Sequence, residues 1–262
     1  MLPLRMLIAL IIAVFSLGIS SCSTDAHAAV KGDTLTTGPH PVLVELFTSQ
    51  GCSSCPPADE VLAKLHAEAR VGQSPVIALS YHVDYWNRLG WTDPYSQTAF
   101  SERQRAYAQH LDGRVYTPQA VVQGRSGHVG SRERELRRAI QTASTKASSV
   151  QFTTRLTATT GNLQLHYQVK HLPEQATVYL ALVEEEVQNS VTRGENRGRQ
   201  LVHTQVVRDF ITLPIRTEPA EQFIELSLAG FAVPQAARAI LFAQDERTWE
   251  ILGVAAFELT VH

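Results

Sequence analysis

The sequence predicts an α/β domain followed by an all-β, sandwich-like domain, and three observations carry that prediction. Between residues 41 and 144, strand-length apolar runs alternate with helix-length patterns. Beyond residue 150, strand-like segments follow one another with only turn signals between them. The stretch "STKASS" (144–149) ends the first pattern before the second begins.

The N-terminus comes first. "LIALIIAVFSLGIS" (7–20) is an unbroken apolar stretch behind a single Arg5, the length of a secretory signal and short for a membrane span, which needs about 20 residues. Two processing sites stay open. "AHA" at 26–28 fits ordinary cleavage, whereas "ISSC" ending at Cys22 resembles a lipoprotein box whose cysteine is lipidated. The predicted divisions are therefore a signal peptide at 1–28, a small polar linker at 29–40, the α/β domain at 41–148 and the β-rich domain at 149–262. Either processing route predicts an exported protein, periplasmic or secreted, with Cys22 as its one route to a membrane anchor.

Within the α/β domain, "PVLVELFTS" (41–49) reads as a strand buried on both faces. "ADEVLAKLHAEAR" (58–70) puts Val61, Leu62, Leu65 and Ala69 on one face of a helix. "PVIALSYHV" (75–83) is a second buried strand. A helix is predicted over 92–111, with Asp93 as N-cap and Pro94 at its first position. "TPQAVVQG" (117–124) and the turn "GHVG" give two short strands, and 131–144 a last helix capped by Ser131 with Leu136 and Ile140 facing inward. This order predicts a mostly parallel sheet. Seven short strands then follow, with turn signals such as "TTGN" and "HLPE" between them.

The bulk numbers bound the function classes. The 262 residues are 44% apolar and 18% charged, with a net charge of -2 and no run of five like charges, so nothing points to nucleic acid. Of three cysteines, processing removes Cys22 from the fold and leaves Cys52 and Cys55 as a CxxC pair. In an oxidising compartment such a pair can form a disulfide and cycle.

The chemistry concentrates in "FTSQGCSSCPP" (47–57). A strand-to-helix turn places the first cysteine at a helix N-terminus, where unpaired N–H groups and partial positive charge favour a thiolate. Cys52 is thus the predicted nucleophile and Cys55, one turn into the helix, the resolving thiol. Pro56 and Pro57 fit a first helical turn, whose N–H groups have no intrahelical partners. A plain stabilising disulfide or an unused surface pair is the alternative.

A CxxC at a helix start, followed by Thr117-Pro118 opening a later strand, is the thioredoxin-like arrangement. The stretch "VELFTSQGCSSCPPADEVLAKL" resembles a bacterial family of exported thioredoxin-like proteins catalogued as a domain of unknown function. The resemblance covers residues 40–145 and implies further roles. Pro118 is expected to be cis and to face the cysteines, with Thr117 beside it; a trans proline at a strand's first residue is the alternative. Glu45 resembles the buried acid that serves the second cysteine as a base; a solvent-facing strand-end Glu is the other reading. Gly51 stands where thioredoxin has tryptophan, so a general reductase role does not carry over.

"SYHVDYWNRLGW" (80–91) is expected to emerge at the same sheet edge, with His82 and Trp86 at the rim and Asp84, Tyr85 and Trp91 around them. The predicted function is a thiol–disulfide oxidoreductase acting on protein or peptide thiols, with no dissociable cofactor. Two alternatives remain. Cys52, Cys55 and His82 could bind Cu(I), with His128 a poorer ligand. A redox-silent binding module is the other, in which "VTRGENRGRQ" (191–200) contacts the first domain or an anionic partner, or is a solvated hairpin.

Overall fold

The computed structural model describes residues 28–30, 40–159, 162–215, 221–232 and 237–259. The signal-like segment, Cys22 and residues 31–39 of the expected linker lie outside the described residues. Residues 29 and 30, expected as linker, belong to a short strand β1 (Ala28–Val30).

Among the described residues twelve strands and three α-helices follow in chain order: β1, β2 (Val42–Thr48), α1 (Pro56–Arg70), β3 (Val76–His82), α2 (Thr98–His110), β4 (Gln119–Val122), β5 (Ser126–Val129), α3 (Glu133–Ala143), then β6 (Gln151–Thr159), β7 (Asn162–Lys170), β8 (Ala176–Ser190), β9 (Gln200–Leu213), β10 (Gln222–Leu226), β11 (Ala237–Asp245) and β12 (Ile251–Glu258). A short 3-10 turn at Asn87–Leu89 lies between β3 and α2. All seven strands expected after residue 150 are present. β8 and β9, however, have 15 and 14 residues and are not short.

The strands form two sheets. Eight make one sheet in the order β12-β11-β8-β9-β3-β2-β4-β5, and β1-β6-β7-β10 make an antiparallel second one. Only β2–β3 and β3–β9 run parallel, so the large sheet is mixed and not mostly parallel as the βαβ pattern suggested. The reason is that strands from beyond residue 149 complete it: β9 pairs beside β3 through Ser80 and Val206, and β8, β11 and β12 follow. The later strands therefore do not build a separate sandwich: β8, β9, β11 and β12 extend the first sheet, and β6, β7 and β10 join β1 in the small sheet, which covers only the far part of the large one. Leu156, Leu165 and Tyr167 from the small sheet share that second core with Leu180, Leu182 and Leu241.

Alternation along β2 divides the first core into two layers. Val42, Val44 and Leu46 meet Val61, Leu62 and Leu65 of α1 and Leu136 and Ile140 of α3. Leu43 and Phe47 face the other way, toward Phe100 and Tyr107 of α2. Glu45 shares that second face and is fully buried. Arg103 Nε donates to Glu45 Oε1 at 2.7 Å, and the Tyr107 hydroxyl donates to the other carboxylate oxygen. The remaining guanidinium nitrogens donate to Tyr107 OH (3.0 Å) and Gln244 Oε1 (3.2 Å). The Arg103 Cζ lies 4.9–5.8 Å from five aromatic ring centroids, including Phe210 on β9 and Phe242 on β11. Burial alone would lower the Arg103 pKa, but Glu45, Tyr107 and Tyr81 together outweigh it and keep the guanidinium protonated.

The helix starts differ slightly from expectation. Gln97 caps α2, because Asp93 is drawn into the interior by other partners, and Arg132 rather than Ser131 precedes α3. Among the described residues no helix is long and apolar enough to cross a membrane.

Glu45→Gln strands the buried Arg103 charge and should cost about 3–5 kcal/mol, read from urea unfolding midpoints. The Glu45→Leu/Arg103→Met double variant should recover most of that loss. A single-variant loss within 1 kcal/mol would contradict this role for the pair.

Candidate functional site

The CxxC lies in the turn that joins β2 to α1. Cys52 N–H donates to Ser49 O (3.1 Å) and Cys55 N–H to Cys52 O (3.2 Å), winding the chain into the helix. Cys55 is the N-cap, not a residue one turn inside, and its carbonyl accepts from Ala58 and Asp59 N–H at 2.8 and 3.2 Å. Pro56 and Pro57 occupy N1 and N2, where proline's missing N–H is tolerated. They also remove two of the donors that a helix N-terminus offers. The two cysteines are disulfide-bonded with Cα atoms 5.5 Å apart.

Side-chain hydroxyls replace the missing donors at Cys52. Thr117 Oγ1 donates to Cys52 Sγ at 3.3 Å. Ser54 Oγ lies 3.3 Å from the same sulfur; a disulfide sulfur has no proton, so the serine donates. Trp86 Nε1 in turn donates to Thr117 Oγ1 at 2.8 Å and fixes that hydroxyl. The Thr117–Pro118 peptide is cis, and Pro118 is buried at the head of β4. Gly51 allows the close approach of the Trp86 segment: a Cβ there would sit 3.1 Å from Trp86 Cβ.

Neither sulfur-bearing residue is exposed; both have 0% relative accessibility. The cover is the tip of the β8–β9 hairpin (191–199), the "VTRGENRGRQ" segment. Asn196, 1% exposed, donates through Nδ2 to Gln50 O and Cys52 O, each at 2.9 Å. Arg199 Nη1 holds the Asn196 side-chain oxygen at 3.0 Å. Glu195 Oε2 accepts Ser53 N–H at 3.0 Å, and this hydrogen bond lowers the Glu195 pKa. The loop therefore contacts the first domain, one of its expected readings, and is not a free solvated hairpin: it caps the CxxC turn.

Beneath the turn lies a buried polar chain. Thr48 and His82 are register partners at the ends of β2 and β3, on the α1 face of the sheet. Thr48 Oγ1 donates to Asp59 Oδ1 at 2.8 Å, and Asp59 Oδ2 is 3.4 Å from His203 Nδ1. The His203 and His82 rings meet edge to face, with centroids 4.6 Å apart. His82 Nδ1 lies 2.7 Å from Asp93 Oδ2, which also accepts Gln50 N–H at 2.8 Å. Burial by itself would raise the Asp93 pKa and lower that of His203. Interactions with His82 and with the Gln50 and Tyr95 N–H groups together outweigh the first effect, and Asp59 with Asp93 the second, so Asp93 is lowered and His203 raised.

The expected rim is thus rearranged. Thr117 meets Cys52 and Trp86 holds Thr117, while His82 is fully buried inside and held by Asp93. Period-two alternation sends Glu45 to the α2 face, away from α1 and its capping cysteine, so it pairs with Arg103 and has no place as the thiol's base. Asp84 braces the start of α2 through Thr98 (2.6 Å) and Ser101 (2.5 Å). Trp91 Nε1 donates to Gln50 Oε1 at 3.0 Å. His128 sits on β5 beside Ser126 (2.9 Å). Among the described residues no three His, Cys, Asp or Glu side chains are gathered as metal ligands. Sequence reasoning missed Asp59, His203 and Asn196. Asp59, four residues after Cys55 and on its helix, was within reach of helical spacing; the other two depend on where β9 pairs.

The family model described as "Protein of unknown function (DUF1223)" matches residues 43–244. Among solved structures, protein AGR_C_4864 from Agrobacterium tumefaciens is similar at a TM-score of 0.61 and 28% identity, covering 84% of this chain and 97% of that one. HBP35 of Porphyromonas gingivalis shares the fold at a TM-score of 0.62 and 15% identity, over 84% of this chain and 76% of its own. A comparison with curated proteins finds no match.

Removing the cap should open the site. Asn196→Ala deletes both of its hydrogen bonds to the CxxC turn, and the rate of Cys52–Cys55 reduction by dithiothreitol should rise about tenfold, equivalent to about 1.4 kcal/mol. An unchanged rate would show that the hairpin tip does not control access.

Proposed function

The chain belongs to the DUF1223 family, and from that premise we propose that it is an exported thiol–disulfide oxidoreductase. Its Cys52–Cys55 couple acts on protein or peptide thiols within a thioredoxin-like frame. The frame is supported by the arrangement of β2, α1, β3, β4 and β5, with the sheet order β3-β2-β4-β5, and by a cis-proline beside the CxxC. Export is supported by the apolar segment at 7–20.

One observation carries the reading: Cys52 Sγ accepts hydroxyl donors from Ser54 and Thr117, whereas no such donor meets Cys55 Sγ among the contacts of the described residues. A neutral disulfide sulfur is a weak acceptor and gains little from them. A thiolate gains a charge-assisted bond from each, roughly 1.5–3 kcal/mol. The donors therefore stabilise Cys52 as the thiolate and set the two sulfurs apart. They also stabilise the reduced form, which raises the couple's potential.

The steps follow. The Cys52 thiolate attacks a substrate disulfide sulfur; a mixed disulfide forms and the other substrate sulfur leaves with the electron pair. Cys55 then attacks Cys52 Sγ, closing the Cys52–Cys55 bond and expelling the second substrate thiolate. In reverse, a substrate dithiol delivers two electrons to the disulfide. Either direction needs the hairpin tip to lift from Ser53 and Cys52, a local opening of a few hydrogen bonds.

The burial of both sulfurs favours a second reading, a permanent staple that closes the turn. Trapping separates the two. In Cys55→Ser the oxidoreductase holds substrate proteins as mixed disulfides through Cys52, recovered from cells and released by dithiothreitol. A Cys55→Ser protein that is folded and exported yet recovers no such adducts would establish the staple.

A further inference from the structure

The four-residue chain under the turn is tied to the CxxC at both ends. Asp59 follows Cys55 by one helical turn and gives its N–H to the Cys55 carbonyl at 3.2 Å. At the other end Asp93 holds the N–H of Gln50, two residues before Cys52. Asp59, His82, Asp93 and His203 are all at least nine-tenths buried.

As a purely structural element this chain is poorly made. His82 Nε2 and both ring nitrogens of His203 have no hydrogen-bond partner, the 3.4 Å approach to Asp59 being an ion-pair contact. Unpaired buried polar atoms cost about 1–3 kcal/mol each, and apolar side chains of similar size would fill the space without that loss. What two imidazoles between two carboxylates provide instead is a place to hold a proton out of water. Opening a disulfide creates a need for one. An incoming thiolate that attacks Cys52 Sγ expels Cys55 as a second thiolate, without a hydroxyl donor to stabilise it.

We propose that Asp59, His203, His82 and Asp93 form a buried proton store for the Cys52–Cys55 couple, in which His203 holds the proton that Cys55 takes when the disulfide opens and returns when it closes. The inference rests on the oxidoreductase reading above. In the opening step the attacking thiolate forms a bond to Cys52 Sγ and the Cys52–Cys55 bond breaks. Cys55 leaves with the electron pair and gains the proton, and the His203 imidazolium becomes neutral. Closing is the same step reversed. His203 acts here as a positioning residue for the proton, passing it toward Cys55 on the Asp59 side of the chain.

The groups facing His203 suit this task. Asp59 comes from α1, His82 from β3, and Asp93 from the segment before α2, with Tyr95 edge-on to His82 at 5.5 Å. The two carboxylates raise the His203 pKa against its burial, which favours the protonated imidazole in the disulfide form.

The test is the rate of disulfide opening by reduced glutathione in the full-length folded chain between pH 5.5 and 8.5, divided by the glutathione thiolate fraction. For the wild type, this corrected rate should fall about tenfold per pH unit above the His203 pKa, as the imidazolium is lost. In His203→Gln it should be flat with pH, and at pH 6 at least tenfold below the wild type. In Asp59→Asn, which keeps the side-chain shape should the first variant fold poorly, the fall should begin at lower pH. A flat wild-type profile, or variants that keep the wild-type profile, overturns the proton store and leaves the oxidoreductase reading standing. A folded wild type that glutathione does not open at any pH overturns the oxidoreductase reading itself.

Discussion

The lateral pairing of β9 with β3 is the constraint on which the rest of the structure depends. It joins strands from the two ends of the chain into one sheet, with Ser80 beside Val206. Because β8 and β9 are 15 and 14 residues long, each spans about 50 Å at roughly 3.3 Å per residue. One end of the hairpin can then pair with β11 while its tip reaches the CxxC turn. The same pairing delivers His203 to His82 and Phe210 to Arg103. A single alignment of two strands thus sets the cap, the buried polar chain and the aromatic surround of the central cation.

The sheet separates two buried ionic clusters of opposite character. On the α2 face, Glu45 and Arg103 are saturated: carboxylate, guanidinium, phenol and amide satisfy one another inside an aromatic cage. Such a cluster specifies packing and holds its charges fixed. On the α1 face, the Asp59–His203–His82–Asp93 chain leaves ring nitrogens unpaired next to a redox-capable pair. The difference in saturation, more than in charge, distinguishes the cluster that supports the fold from the one suited to chemistry.

Local patterns made much of the fold legible. The βαβ unit, the proline-led start of α1, the cis-proline expected from family resemblance and the seven later strands all follow from short-range spacing or resemblance. What sequence could not supply was lateral: nothing in the local pattern of β9 says that it pairs with β3, so the mixed sheet was out of reach, and the contact of residues 191–199 with the first domain was legible only as one of several readings. The misassigned Glu45 is instructive because the parity that corrects it was readable. Residues 43, 45 and 47 share one face of β2 and residues 44, 46 and 48 the other, so a carboxylate three residues before Thr48 points away from α1. Thr48 and His82, ending adjacent strands on the α1 face, were the legible part of the polar chain; His203 was not.

The central claim is that Cys52 and Cys55 form a reversible couple within a stable fold. The most direct measurement equilibrates the folded chain in a graded series of dithiothreitol redox buffers, alkylates free thiols and reads the disulfide fraction by mass. This account predicts a reversible two-electron transition with a midpoint above about −300 mV, the region of exchange-active couples, while the chain stays folded throughout. A disulfide that remains closed across the series and opens only when the chain unfolds would contradict it.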